Sequence, residues 1–120
     1  MDAIREQLKS ALSSLESNAS LNGYLLVRRD GMLLLRYPDS QTSSDLPGFL
    51  ASTLGTFETL SGKLGAGEAQ HLVIETDTLK ILLLGGSLAV LVCLLDKSAN
   101  EEELLALAKG AEAKAEQILA

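Results

Sequence analysis

The hydrophobic positions of this chain change period several times, from helical to extended and back, and the changes mark its elements. Residues 2–17 place Ile4, Leu8, Leu12 and Leu15 at helical spacing, with Arg5, Glu6, Lys9 and Ser13 elsewhere on the wheel and Asp2 offering an N-cap. The period then shortens. YLLVRRDGMLLLRY, residues 24–37, holds two apolar runs of strand length split by Arg-Arg-Asp-Gly. Asp-Gly suits a type I′ turn, because both residues tolerate positive φ, so Tyr24–Arg28 and Met32–Tyr37 are predicted to form a hairpin. A polar loop, PDSQTSS, ends the second strand. A helix is predicted from Asp45 to Leu64, with Pro47 in its first turn, where a missing N–H costs nothing, and Gly65-Ala66-Gly67 to stop it. Strands at His71–Thr76, Leu79–Leu84 and Leu88–Leu95 follow, joined at Asp77-Thr78 and Gly85-Gly86-Ser87. Asn100 with Glu103 three residues on is a capping-box signature, and Leu104, Leu107, Ala111, Ala115 and Ile118 stripe the last helix.

The resulting order is α-β-β-α-β-β-β-α, an α/β (α+β) sandwich forming a single domain over residues 1–120. Connections within each run of strands are short, so the five-stranded sheet is expected to be mostly antiparallel. Its middle strands are apolar throughout rather than alternating, which predicts helices on both faces.

Composition narrows the function. Aromatic residues are only 3% of the chain and Trp is absent, which leaves few platforms for stacking bases, and the net charge of -6 opposes phosphate binding. No nucleic-acid partner is expected. Cys93, the sole cysteine, lies in AVLVCLL, where a free thiol behaves as a small hydrophobe. With no disulfide possible and no signal-peptide pattern at the N-terminus, the reading is intracellular and cytoplasmic. Residues 79–95 are apolar, but they contain Lys80 and break at Gly85-Gly86-Ser87, so they predict a hairpin and no membrane insertion.

The catalytic inventory is short. His71 is the only histidine, at a strand start with no cysteine nearby, and is read as a strand residue rather than a ligand or base. Glu101-Glu102-Glu103 point in different directions on a helix and match its dipole. Gly62-Lys63 is followed by Leu64, which fails the Walker pattern. Gly65-Ala66-Gly67 follows a helix and precedes a strand, the reverse of the dinucleotide fingerprint. No metal, cofactor or catalytic residue is expected.

The informative segment is the middle helix. Leu46, Phe49, Leu50, Leu54, Phe57, Leu60 and Leu64 fall on one predicted face; Gly48, Ser52, Gly55, Thr59 and Gly62 form an uncharged row on another. Each interior glycine costs about 0.8–1.0 kcal/mol relative to alanine, which a second helix approaching along the row would offset. The plain alternative is that the row faces solvent or lies beneath a loop. Self-association is the favoured reading, and the following strand, with Leu72, Val73 and Ile74, would extend the interface if it lies at a sheet edge. On this reading Gly55→Leu should break the pairing, while Glu58→Ala should change little.

With these elements in place, the chain resembles the roadblock / dynein light chain domain family. The resemblance rests on Gly23-Tyr24-Leu25-Leu26-Val27 running through Arg28-Arg29-Asp30-Gly31 into Met32-Leu33-Leu34, on the long helix after a polar loop, on Leu88-Ala89-Val90-Leu91-Val92, and on the Ala/Glu-rich last helix. It implies a profilin- and longin-like fold, with a five-stranded sheet between one helix and a pair of terminal helices. It also implies homodimers, or heterodimers with a roadblock paralogue, in which middle helices pair and third strands join two sheets. In bacteria and archaea such proteins bind and regulate Ras-like small GTPases; in eukaryotes they serve in dynein and lysosomal scaffolds. Members that stimulate GTP hydrolysis reorganise the GTPase's own site without an arginine finger, so Arg28 and Arg29 are read as a solvated hairpin end. A GTPase epitope on the bland middle helix would need Asp45, Thr56, Glu58 and Lys63.

Three functions follow from this reading. The first is a dimeric, non-catalytic adaptor that binds a Ras-like small GTPase and regulates its nucleotide state. The second is a structural dimerisation subunit of a larger scaffold or motor complex, insensitive to nucleotide. A small-molecule sensor of PAS-like shape ranks third, because few polar groups interrupt the apolar runs to orient a ligand.

Overall fold

The computed structural model of the chain describes residues 2–120. Among them, three helices and five strands follow the predicted order: α1 (Asp2–Glu16), β1 (Leu21–Arg28), β2 (Leu33–Tyr37), α2 (Leu46–Lys63), β3 (Leu72–Glu75), β4 (Leu79–Gly85), β5 (Ala89–Asp96) and α3 (Glu101–Leu119). The N-cap expected of the Asp2 side chain lies outside the described residues.

The strands form one sheet in the order β2-β1-β5-β4-β3, with every neighbouring pair antiparallel. Central β1 and β5 pair in register through Leu25↔Val92 and Leu26↔Leu91, and side-chain alternation then divides the core in two. Tyr24 and Leu26 of β1 and Leu91, Cys93 and Leu95 of β5 meet Leu8, Leu12 and Leu15 of α1 and Leu104, Ala108, Ala111 and Ala115 of α3. On the opposite face Leu25, Val27, Leu83, Val90 and Val92 meet Ala51 and Leu54 of α2. Both faces are covered, and this is why these strands read as continuous apolar runs. The α3 alanines are small, so α1 and α3 lie close together on one face; full burial of each α1 leucine contributes about 1.5–3 kcal/mol to holding them there.

The first hairpin differs from the predicted type I′ turn. Only Gly31 has positive φ (96°), no other residue in the turn has it, and the Gly31 N–H donates to the Arg28 carbonyl while the Arg28 N–H donates to Met32. That is a three-residue loop closed by a left-handed glycine, which spares Asp30 a strained backbone. Asp30 instead accepts two hydrogen bonds from Arg28, at 2.9 and 2.7 Å.

At the helix ends the local signals hold. Asn100 accepts a hydrogen bond from the Glu103 N–H at 3.2 Å, one half of the predicted capping box. After α2, Gly65 is left-handed, its N–H reaches the Gly62 carbonyl and that of Ala66 reaches Ser61, which is the Schellman arrangement.

Candidate interaction surface

On α2 the sequence and the packing diverge. Only Pro47, Ala51 and Leu54 are buried, with Leu46 and Leu50 half-buried beside them. Phe49 is 64% exposed and Leu64 72%, and Phe57 and Leu60 are also exposed. At ~100° per residue, the buried line lies about a quarter turn from the centre of the predicted apolar arc. The helix therefore presents one edge of that arc to the sheet and leaves Phe49, Phe57, Leu60 and Leu64 facing outward. Of the seven apolar residues predicted to share one face, only Leu46, Leu50 and Leu54 pack towards the sheet. Small Ala51 and Pro47 take the places against the sheet, where they let the helix backbone approach.

The small-residue row occupies the opposite flank. Gly48, Gly55 and Gly62 have open space above their Cα atoms, and Ser52, Thr59 and Gly62 are exposed. Ser52, Gly55, Thr56, Thr59, Leu60 and Lys63 frame a shallow depression between the two flanks. The crest of α2 is thus nearly flat, bordered by an apolar ridge on one side and by glycines on the other.

β3 presents a second, partly exposed apolar feature. It is an edge strand, hydrogen-bonded among the described residues only to β4. Its Leu72 and Ile74 point to the α2 side of the sheet and Val73 to the α1/α3 side, all half-buried. Ile81 of β4 and Leu94 of β5 are also only half-buried on the α2 side. An apolar shelf therefore runs from the α2 side of the sheet to an open backbone edge, a combination that invites strand pairing.

The residues suggested for GTPase contact separate into two groups. Asp45 is exposed at the start of α2 without a side-chain capping bond, and Thr56 and Lys63 are exposed on the helix. Glu58 is engaged elsewhere: Arg29 grips it with two hydrogen bonds at 2.7 and 3.0 Å while donating through Nε to the Gly86 carbonyl at 2.9 Å. Arg29 is accordingly not the solvated hairpin end that was expected. Its side chain is 29% exposed, and the Glu58 carboxylate strengthens its hold on its proton. Arg28, paired with Asp30 at the exposed turn, does match that reading.

The remaining chemical candidates are scattered. His71 is exposed just before β3, and with Glu101 and Glu102 it borders a cavity of about 140 Å³ lined by Val73, Leu82, Leu95 and Leu105. Among the described residues, no three His, Cys, Asp or Glu side chains gather as metal ligands would. Cys93 is fully buried, and burial pushes its thiol up to about 12, so it stays protonated and unreactive. Among the described residues no helix is long and apolar enough to cross a membrane. Sequence reasoning missed the exposure of Phe49 and Leu60 and the clasp between Arg29 and Glu58. Nothing local encodes the clasp, since its partners are 29 residues apart.

One helix on one face, a terminal helix pair on the other and an antiparallel sheet ordered β2-β1-β5-β4-β3 define an α+β sandwich of the profilin and roadblock kind. Within that class the chain has the roadblock/LC7 fold. MglB of Myxococcus xanthus superposes with a TM-score of 0.83 over 96% of this chain and 89% of that one, at 19% identity. An MglB in a tetrameric arrangement gives 0.78 over 97% and 90%, at 24% identity. A roadblock/LC7 domain from Streptomyces avermitilis gives 0.76 over 94% and 96%, at 17% identity. No protein-family model and no curated protein matches the sequence.

Proposed function

We propose that the protein is a non-catalytic adaptor that pairs with a second copy of itself, or with a paralogue of the same fold, and binds a Ras-like small GTPase whose nucleotide state it regulates. The observation that carries this reading is the exposure of the α2 ridge, which the open edge of β3 accompanies. A stable protomer has little reason to expose Phe49, Leu60 and Leu64 beside a row of glycines unless another surface covers them. Twofold pairing sets the same patch against itself, so a second copy is the economical occupant. The tetrameric arrangement of the similar MglB supports self-association. The GTPase partner rests on the family resemblance and on the fold shared with MglB proteins. In this reading the dimer interface comprises Gly48, Ser52, Gly55, Thr59 and Gly62 of α2 with Leu72, Val73 and Ile74 of β3. Asp45, Thr56 and Lys63 remain for the GTPase, and any effect on hydrolysis acts through the GTPase's own residues.

A second reading is favoured by one observation. Because Arg29 occupies Glu58, the polar set left on α2 is thin for a nucleotide-sensing epitope. A structural subunit that ignores nucleotide would need no more than the apolar surface.

Affinity capture on the immobilised protein separates the two readings. The source lysate is divided and loaded with GDP or with a non-hydrolysable GTP analogue. Enrichment of one small GTPase in a single arm is expected for the regulator. The same partners in both arms, with no GTPase among them, would leave only the scaffold reading.

A further inference from the structure

The β4–β5 turn, Gly85-Gly86-Ser87, is held from both faces of the sheet. From α3, the Glu116 carboxylate accepts hydrogen bonds from the backbone N–H groups of Leu88 at 3.1 Å and Ala89 at 2.9 Å. From the β1–β2 loop, Arg29 donates to the Gly86 carbonyl and ties the turn to Glu58 of α2. A second carboxyl group, that of Glu112, lies one helical turn before Glu116. Its Oε1 is buried with no donor to accept from among the described residues. Both carboxyl groups press so close to Gly86 that a Cβ at that position would collide with each of them.

Two carboxylates sharing so small a space repel when both are charged. An acceptor oxygen with no donor is also costly once buried. One proton removes both problems, because a neutral Glu112 can donate to Glu116 while Glu116 keeps accepting from the turn.

We propose that Glu112 and Glu116 share one proton in the folded protein, and that this proton sets how firmly α3 grips the β4–β5 turn.

The surroundings favour this arrangement. Burial and the nearby charge of Glu116 raise Glu112 to about 7, and Arg29 opposes them. Arg29 comes from the β1–β2 loop, and its charge is largely committed to Glu58 of α2. The turn itself brings no ionisable group. Other charged side chains on the packed elements include Arg5, Glu6, Lys9 and Glu16 of α1 and Lys109 and Lys114 of α3. The sign of the pH dependence follows. The unfolded chain releases this proton near the ordinary value of 4.5, whereas the folded chain keeps it to about 7. Between those values the native state binds more protons than the unfolded state, so the contribution is full at low pH and is lost as pH rises through about 7. The turn loosens in the same window as the two charges separate.

The test is a carbon-13 titration of the glutamate carboxyl groups combined with amide-exchange protection factors, on wild type and on Glu112→Gln, whose amide can donate to Glu116 at any pH. The expected result is one carboxyl carbon titrating near 7 in wild type and absent from the variant. Protection of the Leu88 and Ala89 amides should fall several-fold between about pH 5 and about pH 8 in wild type and stay level in Glu112→Gln. A Glu112 carboxyl that titrates in the ordinary range overturns the proposal. So does wild-type protection at Leu88 and Ala89 that is unchanged across the window.

Discussion

At the β1–β2 turn the Arg29 guanidinium makes three directed hydrogen bonds, two to Glu58 and one to the Gly86 carbonyl. They join a loop, a helix and a second hairpin that are far apart in sequence. The pair is about one-third exposed, so solvent screens it, and its bidentate geometry places it at the upper end of surface pairs. Glu58→Ala should therefore destabilise the protein by roughly 1 kcal/mol in chemical denaturation, and a charge-conserving Arg29→Lys should recover little, since lysine lacks the planar fork. This revises the expectation that Glu58→Ala changes little. The residues that the sequence identified at this scale are those with local signals: the Asn100 cap, Gly31 in its turn and Cys93 within an apolar strand. The clasp escaped notice because charge pairing across 29 residues leaves no periodic trace.

At the scale of elements, α2 and α3 show what a helical pattern does and does not determine. Both were legible as helices, because their period and end signals are local. How each is rotated against the sheet is decided by the shape of what it packs on. For α3 the buried line runs through Leu104, Ala108, Ala111 and Ala115, close to the predicted stripe. For α2 it is turned about a quarter turn from the apolar arc, and the leftover arc becomes a surface. Glycines test the distinction between the two helices. Gly110 in α3 is exposed, with nothing near its Cα, so Gly110→Ala should raise stability by about 0.8–1.0 kcal/mol, measured as a higher denaturation midpoint at unchanged slope. Gly55 in α2 likewise has nothing within 4 Å of an added Cβ, so an alanine there fits the protomer. A penalty at Gly55 would have to come from a partner.

At the scale of the whole molecule, the covered sheet faces explain the apolar strands, and the edges explain where association is open. The number of layers and the antiparallel order were readable from run lengths and short turns. Which strand lies at the edge was not, because β3 and the central strands are equally apolar in sequence; only the order β2-β1-β5-β4-β3 places Leu72, Val73 and Ile74 at the open side. The uncovered α2 ridge, the glycine flank and the β3 edge are the exposed features that the proposed dimer would cover. Sedimentation equilibrium of wild type beside Gly55→Leu tests that claim most directly, with circular dichroism and thermal unfolding confirming that the variant is folded. A dimer or a higher multiple of it is expected for wild type, and a folded monomer for Gly55→Leu. A monomeric wild type, or a Gly55→Leu protein with unchanged mass, would contradict it.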